Sequence, residues 1–500
     1  MSSLHLYNTL SRKLELFQPI TQGHVGIYIC GPTVYGPPHL GHLRGPIVFD
    51  VLRRYLIHNG YNVRFVRNIT DVGHLVGDSD EGEDKLDKQA KVEKLEPMEV
   101  AQTYTNQYNA VMDKMNIIKP SIEPRATGHI IEQIEMIQVI MDAGLAYAVN
   151  GSVYFDVVAY NTNNNYGVLS GRVLEDLLHS QDAISSGPNW VPSQGRALES
   201  QDEKRNPSDF ALWKKASPDH IMQWNSSWGK GFPGWHIECS AMSAKYLGAY
   251  FDIHGGGLDL LFPHHEAEIA QGTVAHKHTP AKYWIHHNMI TIAGQKMAKS
   301  LGNGILAEQL FNGTHALLDQ PYSPMTLRFF ILQAHYRGTL DFSNTALLAA
   351  QKAWQRMQSA INLIDNLRVV DGSGSMEVDD IVLGIRESMN DDLNTPQVIA
   401  HLFELCRRIN LVNDGKDQIS LGVKTLVQQL RDDVCFGFLG LTLDDKSNSD
   451  GLNDAMQILL DLRKNAKKEN NWVLGDQIRD ALKEKGFEIK DTPEGTVWKL

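Results

Sequence analysis

The stretch from Cys30 to Gly45, CGPTVYGPPHLGHLRG, constrains the fold of this 500-residue chain more than any other. The apolar run before it, at 26–29, suits a buried strand, and the residues after it, at 47–56, carry apolar side chains at helical spacing. The stretch is therefore a turn from a strand into a helix. Such a turn brings backbone N–H groups to a positive helix terminus, and Gly41 lets a phosphate approach closely. We expect His39 and His42 to act there as hydrogen-bond donors.

A second strand is predicted from Asn62 to Thr70, because apolar and polar residues alternate along it. With the helix before it, this strand completes a βαβ unit. Proteins with an open parallel sheet bind their ligands at the carboxyl ends of the strands. Cys30, the turn that contains His39, and Thr70 are therefore expected to converge.

A second short motif, KMAKS at 296–300, lies between two glycines. Its two lysines, Lys296 and Lys299, stand three apart and can reach the charge that develops on a transferring triphosphate. A histidine pair at a helix start is also typical of a solvated cap, so neither motif decides the function alone.

Four residues that are distant in the sequence have side chains suited to a metal ion: Cys30, Cys239, His264 and Glu268. The last two stand four apart in a helix predicted to open at Pro263, so they share one face. Zinc accepts thiolate, imidazole and carboxylate together. Spacing alone leaves two interpretations open: a zinc site, or small buried cysteines beside a surface His–Glu pair. His265, three residues before Glu268, competes for the histidine position.

Together, the HxGH turn and the KMxKS motif resemble the signature pair of class I aminoacyl-tRNA synthetases. With the cysteines and histidines, the chain resembles the cysteinyl-tRNA synthetases over nearly its whole length. The resemblance implies that Zn²⁺ binds at the four residues, one ion per chain, and recognises the substrate sulfur, because thiolate binds zinc far better than hydroxyl does. The sequence departs from the family where Ala298 replaces a serine and where an acidic stretch occupies 78–84.

The resemblance also implies a role for each motif residue. The catalytic residues it implies are His39, His42, Lys296 and Lys299. The ATP-binding residues it implies, with Mg²⁺ accompanying the nucleotide, are His39, Gly41, His42, Gly257, Asp259 and Lys299. The amino-acid pocket it implies is lined by Gly31, Thr70, Trp235 and His236.

The expected fold class is α/β. A Rossmann-type parallel-sheet nucleotide-binding catalytic domain with an insertion is followed by an α-helical bundle and a small C-terminal domain. We expect the first half of the catalytic domain at 1–120, a connective insertion at 121–230 and the second half at 231–343. The insertion should contain a hairpin that turns at Asn150 and Gly151 and a long polar loop at 161–207, and the second half should contain a strand at 283–291. The bundle, predicted from long amphipathic helices and expected to contact tRNA, spans 344–445, and an anticodon-binding domain spans 446–500. A chain of this length is too long for one hydrophobic core.

The amino-acid composition bears on disulfide formation, on nucleic-acid binding and on membrane association. Four cysteines in so long a chain argue against a disulfide framework and leave metal binding open. The net charge of −12 gives no global basic field, although local patches for tRNA remain compatible with it. No apolar run approaches the roughly 20 residues that span a bilayer, and the N-terminus does not resemble a signal peptide. We expect a cytoplasmic monomer without a membrane partner.

The function expected from the resemblance is cysteine:tRNA ligase, with ATP, L-cysteine and tRNA-Cys as substrates. Two alternatives stay open. One is the ligase that joins cysteine to an amino sugar in mycothiol synthesis, which shares the catalytic core but typically lacks the anticodon-reading tail. The other is a non-catalytic RNA-binding protein derived from a synthetase.

Overall fold

The structure is a computed structural model that describes residues 4–73, 84–174, 203–218, 220–297, 303–372, 374–443, 448–468, 471–485, 487–492 and 495–499. The chain divides into two compact units, Met1–Thr442 and Leu443–Leu500. No helix among the described residues is long and apolar enough to cross a membrane.

The strands, in chain order, are β1 His5–Asn8, β2 Lys13–Leu16, β3 His24–Ile29, β4 Asn62–Arg67, β5 Ala146–Val149, β6 Ser152–Phe155, β7 Phe210–Lys215, β8 Trp224–Ser226, β9 Gly229–Pro233, β10 Phe251–Gly257, β11 Ala281–His287, β12 Ile290–Ile292, β13 Gln295–Lys296, β14 Leu340–Phe342, β15 Val369–Val370, β16 Ile419–Ser420, β17 Glu488–Thr492 and β18 Gly495–Lys499.

The α-helices are α1 Gly41–His58, α2 Lys85–Glu93, α3 Pro97–Lys114, α4 Ile130–Asp142, α5 Val157–Asn161, α6 Trp235–Leu247, α7 Glu266–His276, α8 Ala307–Asn312, α9 Pro324–Leu332, α10 Asn344–Leu363, α11 Asp379–Asn390, α12 Thr395–Asn413, α13 Leu421–Leu430, α14 Asn448–Lys468 and α15 Trp472–Glu484.

A four-stranded sheet forms the centre of the first unit, in the order β11-β10-β3-β4, with every neighbouring pair parallel. Most residues of its strands are buried, because helices cover parallel sheets on both faces. All seven residues of β10 are buried. The helix α1 connects β3 to β4, which confirms the predicted βαβ unit, and it continues through Pro46 to His58.

The insertion between the two halves of the central sheet carries its own antiparallel sheet, in the order β5-β6-β7-β9-β8. The predicted hairpin is confirmed: β5 and β6 pair across Asn150 and Gly151, whose φ angles are +52° and +93°. Positive φ at both central residues is what a tight hairpin turn requires. Most of the long loop predicted at 161–207 lies outside the described residues.

One sequence-based prediction of local structure is wrong. The strand predicted at 283–291 is two strands in different sheets, β11 and β12. The chain turns between them at Asn288, whose side-chain Nδ2 donates to Arg337 O and Thr339 Oγ1. The helix predicted to open at Pro263 is confirmed: Phe262 before it has non-helical angles, φ −138° and ψ 132°, and the helical turn that follows runs through His264 and His265 into α7.

Helices α10 to α13 follow the catalytic half of the first unit, and their apolar faces share one buried cluster with the helix α1 and the central sheet. Amphipathic spacing in the sequence predicted these helices. The second unit contains α14, α15 and the hairpin of β17 and β18, with Met456, Leu460 and Leu482 buried among its elements.

Candidate active site and metal centre

The HxGH turn lies between the end of β3 and the start of α1, as predicted. The rings of His39 and His42 stack, with their centroids 3.6 Å apart, and the backbone N–H of His39 donates to His42 Nδ1 at 3.3 Å. The two histidines therefore act as one unit beside the N-terminus of α1, where the helix dipole favours a bound anion.

The segments that flank the KMAKS loop meet this turn from both sides. A Cβ built on Gly41 would lie 2.8 Å from Met297 Cε, so a larger residue at this position would displace the end of that methionine side chain. On the other flank, Leu40 N donates to Ile305 O at 2.8 Å and Ala307 N donates to Pro38 O at 2.9 Å. The backbone of Lys296 lies in β13, which pairs with β12. Lys299 and Ala298 lie outside the described residues.

Gly257 and Asp259 lie at the carboxyl end of β10, at the sheet edge where ligands bind in open α/β folds. A Cβ on Gly257 would lie 2.3 Å from Asp259 Oδ1, so the carboxylate sits directly against the glycine backbone. The adjacent N–H of Leu258 donates to His287 O at 2.9 Å, which fixes this loop to β11.

Gly31 and Thr70 are joined by Asn68, a residue that the sequence did not single out. Gly31 N donates to Asn68 Oδ1 at 2.9 Å, and Asn68 Nδ2 donates to Thr70 Oγ1 at 3.1 Å. A Cβ on Gly31 would lie 1.6 Å from Asn68 O, so no other residue fits there. Asn68 Oδ1 is also 3.8 Å from Cys239 Sγ, which links this pocket wall to the cysteines.

Trp235 and His236 open the helix that carries Cys239. The Trp235 ring lies 4.3 Å, centroid to centroid, from the ring of His264, and His236 Nδ1 lies 2.9 Å from His264 Nδ1. The structure therefore brings both predicted pocket residues against a predicted metal ligand.

The four predicted metal ligands converge. One donor atom from each of Cys30, Cys239, His264 and Glu268 lies within 4.8 Å of the other three. The two Sγ atoms are 3.8 Å apart, Cys30 Sγ is 3.8 Å from Glu268 Oε1, and His264 Nε2 is 3.2 Å from Glu268 Oε1. Ligands on one tetrahedral zinc ion, at usual bond lengths, would be about 3.8, 3.6 and 3.4 Å apart for these pairs. The residues present fit the ion.

A second set, with His254 and His265 in place of Cys239 and His264, also lies within 4.8 Å. It fits less well. His254 Nε2 is only 2.8 Å from Glu268 Oε2, a direct hydrogen bond, and His265 Nε2 is 4.0 Å from Glu268 Oε1. His254 instead contacts Oε2 of Glu268, and His236 contacts Nδ1 of His264, the atoms of these two residues that face away from the ion position. Such partners commonly orient metal ligands.

Burial dominates the electrostatics of this cluster. It raises the pKa of Cys30, Cys239 and Glu268 above their usual values, and it lowers the pKa of His254 and His286 to about 3. Each shift favours the neutral form. A cation bound among the donors reverses this preference, because metal ligation requires thiolate and carboxylate.

Comparisons with known proteins decide the family. The family described as tRNA synthetases class I (C) catalytic domain matches residues 16–352, and the DALR domain family matches residues 384–441. A cysteine–tRNA ligase of Bacteroides thetaiotaomicron is 54% identical over 99% of this chain and 99% of its own length. One of Porphyromonas gingivalis is 53% identical with the same coverage. The chain belongs to the cysteine–tRNA ligase family.

Solved structures show the same fold at low identity. A Mycobacterium tuberculosis methionyl-tRNA synthetase in complex with methionyl-adenylate aligns with a TM-score of 0.53 and 13% identity, covering 79% of this chain and 83% of that one. The ternary complex of Agrobacterium radiobacter K84 agnB2 LeuRS, tRNA and LeuAMS aligns with a TM-score of 0.58 and 12% identity, covering 85% of each chain. The class I synthetase fold predicted from the sequence is thus confirmed.

In this cysteine–tRNA ligase family member, sequence reasoning missed several buried groups around the candidate metal centre. His254 lies in β10 and His286 in β11, and both rings contact the ring of His265, the competitor that the sequence had named. Glu238 is fully buried, and burial raises its pKa well above the usual value. The available signal was the position of His254 and His286 in otherwise apolar strands that end at the ligand-binding edge.

Proposed function

We propose that this chain activates L-cysteine with ATP and transfers it to tRNA-Cys. The substrate carboxylate attacks the α-phosphorus of ATP, the bond to the β-phosphate oxygen breaks, and cysteinyl-adenylate and pyrophosphate form. The terminal ribose hydroxyl of the tRNA then attacks the carbonyl carbon and AMP leaves. No covalent intermediate with the enzyme is needed, so the protein acts by positioning and by charge stabilisation.

The observation that carries this proposal is the position of the four-donor cluster. Cys30 and Cys239 lie beside the wall formed by Gly31, Asn68 and Thr70, and His264 lies against Trp235. The cluster therefore borders the pocket assigned to the amino acid. Zn²⁺ bound there would supply a soft Lewis acid that prefers a thiolate to a hydroxyl, a discrimination that pocket shape alone achieves poorly.

We assign the remaining roles from the geometry and the motifs. His39 and His42, stacked at the N-terminus of α1, hydrogen-bond ATP phosphates, and Gly41 leaves the space. Lys296 and Lys299 neutralise charge that develops on the departing pyrophosphate, with Mg²⁺ accompanying the nucleotide. Gly257 and Asp259 contact the ribose of ATP, and the cysteine pocket is lined by Gly31, Thr70, Trp235 and His236.

The two alternatives are less well supported. Eight relatives that match over nearly their full length, at 47 to 54% identity, are named cysteine–tRNA ligase. A second compact unit also follows the bundle, and amino-sugar ligases typically lack the anticodon-reading tail. Convergence of the HxGH turn, the KMAKS flanks and the four candidate ligands argues against a protein that only binds RNA.

The same family membership supports the wider setting that we propose. The helical bundle contacts tRNA, residues 446–500 bind the anticodon, and the five domains keep the boundaries expected from the sequence. We further propose that the protein acts in the cytoplasm as a monomer.

Cysteine-dependent exchange of pyrophosphate into ATP, followed by charging of tRNA-Cys, tests this function. Exchange and charging are both expected. Exchange that proceeds to an amino sugar but not to tRNA would support the mycothiol-type ligase, and RNA binding without any exchange would support the non-catalytic alternative.

A further inference from the structure

Arg44, two residues after the HxGH histidines, points its charge into the protein. It is 1% exposed, and burial lowers its pKa to about 10. No carboxylate among the described residues forms an ion pair with it. Its guanidinium donates instead to three main-chain carbonyl oxygens, those of Met289 at 2.7 Å, His335 at 3.0 Å and Gly338 at 2.5 Å.

These three carbonyls lie at one end of a small sheet, where the parallel strands β12 and β14 both begin. Met289 immediately precedes β12, which pairs with β13, the strand that contains Lys296. His335 and Gly338 form the turn before β14, which is the other neighbour of β12. One side chain on the HxGH helix thus holds the base of the hairpin that leads into the KMAKS loop.

We propose that Arg44 is a positioning residue for the reaction: it fixes the β12–β13 hairpin relative to α1, so that Lys296 and the HxGH histidines act on the same phosphates. This inference rests on the proposed function. The guanidinium suits the task because its planar fork can bind several carbonyls at once in a fixed geometry, whereas the ammonium of lysine offers no such fork. A shift of about 1 Å between catalytic groups can lower a rate by about 100-fold.

The same helix offers a matched control. Arg53 is also buried, at 8% exposure, and its guanidinium also donates to two main-chain carbonyls, those of Ile118 at 3.2 Å and Lys119 at 2.7 Å. Those carbonyls follow α3 and do not belong to the hairpin sheet. Arg53→Lys therefore reproduces the loss of a buried fork on α1 without disturbing the hairpin.

A second variant reaches the hairpin base without changing a buried charge. Asn288 Nδ2 donates to Arg337 O at 3.0 Å and to Thr339 Oγ1 at 3.3 Å, and its Oδ1 accepts from Met289 N at 2.8 Å. Asn288→Ala loosens the same junction from its exposed side. It decides the question if Arg44→Lys does not fold.

The test measures cysteine-dependent pyrophosphate exchange for Arg44→Lys, Arg53→Lys and Asn288→Ala, each alone and combined with Lys296→Ala, with thermal unfolding on every preparation. We expect Arg44→Lys to lower kcat by about 10- to 100-fold while KM for ATP changes less than about threefold. Arg53→Lys should remain within about threefold of the wild type, and Asn288→Ala should fall between the two. In the Lys296→Ala background, Arg44→Lys should have little further effect, because the group it positions is gone.

Two results would overturn the inference: a folded Arg44→Lys that loses no more activity than Arg53→Lys, or a full Arg44→Lys loss that persists in the Lys296→Ala background. If only Asn288→Ala folds, a wild-type kcat for that variant overturns it equally. Failure of the proposed function is distinguishable, because the wild-type enzyme itself would then show no cysteine-dependent exchange.

Discussion

Replacing Arg328 should destabilise the first unit far more than replacing an arginine in exposed ion pairs. Arg328 is fully buried, and its Nη2 donates to Asp50 Oδ2 at 2.5 Å. The remaining donors bind Leu439 O at 2.7 Å and Met115 O at 2.9 Å. One guanidinium therefore joins the HxGH helix to the last residues of the helical bundle.

The magnitude follows from what Arg328→Met leaves behind. Asp50 keeps Arg54 Nε at 2.7 Å and Ile118 N at 2.9 Å, so its charge is not wholly unpaired. The carbonyls of Leu439 and Met115 lose a buried donor, and such groups cost about 1–3 kcal/mol each when left unsatisfied. With the broken ion pair, these losses overlap, and we expect the free energy of unfolding to fall by about 3–5 kcal/mol.

Urea unfolding measures this loss, with Arg431→Met as the control. Arg431 pairs with Asp365 and Asp432, whose side chains are 61% and 57% exposed, and surface pairs contribute about 0–1 kcal/mol. We expect a large shift of the urea midpoint for Arg328→Met and a small one for Arg431→Met. Equal shifts would refute the view that the buried pair holds the bundle to α1.

Three further predictions concern the metal, pH and the second unit. Cys239→Ser should bind zinc weakly or not at all. Its preference for cysteine over serine in pyrophosphate exchange should shrink, while its affinity for ATP stays near the wild-type value. A folded, metal-free variant with an unchanged preference for cysteine would contradict the zinc site. Burial raises the pKa of Asp84 from 3.8 to about 6, so between these pH values the folded state binds more protons than the unfolded state. The free energy of unfolding should therefore fall as the pH rises through about 4 to 6, by at most about 3 kcal/mol. Urea midpoints of Asp84→Asn, whose side chain stays neutral, should not show this fall. Identical pH profiles of the variant and the wild type would contradict the role of Asp84. Removal of residues 443–500 should leave cysteine activation nearly intact but raise KM for tRNA, since these residues form a separate compact unit; unchanged charging kinetics would show that the unit does not bind tRNA.

Periodicity and turn residues in the sequence predicted those elements whose conformation depends on neighbouring residues. The strand, turn and helix around His39, the hairpin at Asn150 and the amphipathic helices of the bundle all follow from periodicity and turn chemistry. The catalytic α/β fold followed from the same signals, because a βαβ unit restricts where a nucleotide binds. These features are encoded within short windows.

Features set by tertiary contacts were not predictable in this way. Cys30 and Cys239 are 209 positions apart, and only the family resemblance brought them together before the structure did. The break between β11 and β12 depends on bonds from Asn288 to residues about 50 positions later. Asn68 and the buried histidines carry no motif, because their roles arise from partners on other strands.

The most direct test of the account is X-ray absorption at the zinc edge of the purified protein, recorded without substrate, with cysteine and with serine. The four-ligand site predicts about one zinc per chain with two sulfur neighbours, those of Cys30 and Cys239. Cysteine should add a third sulfur at about 2.3 Å, and serine should not. An unchanged sulfur count with saturating cysteine would contradict recognition of the substrate thiolate at this site.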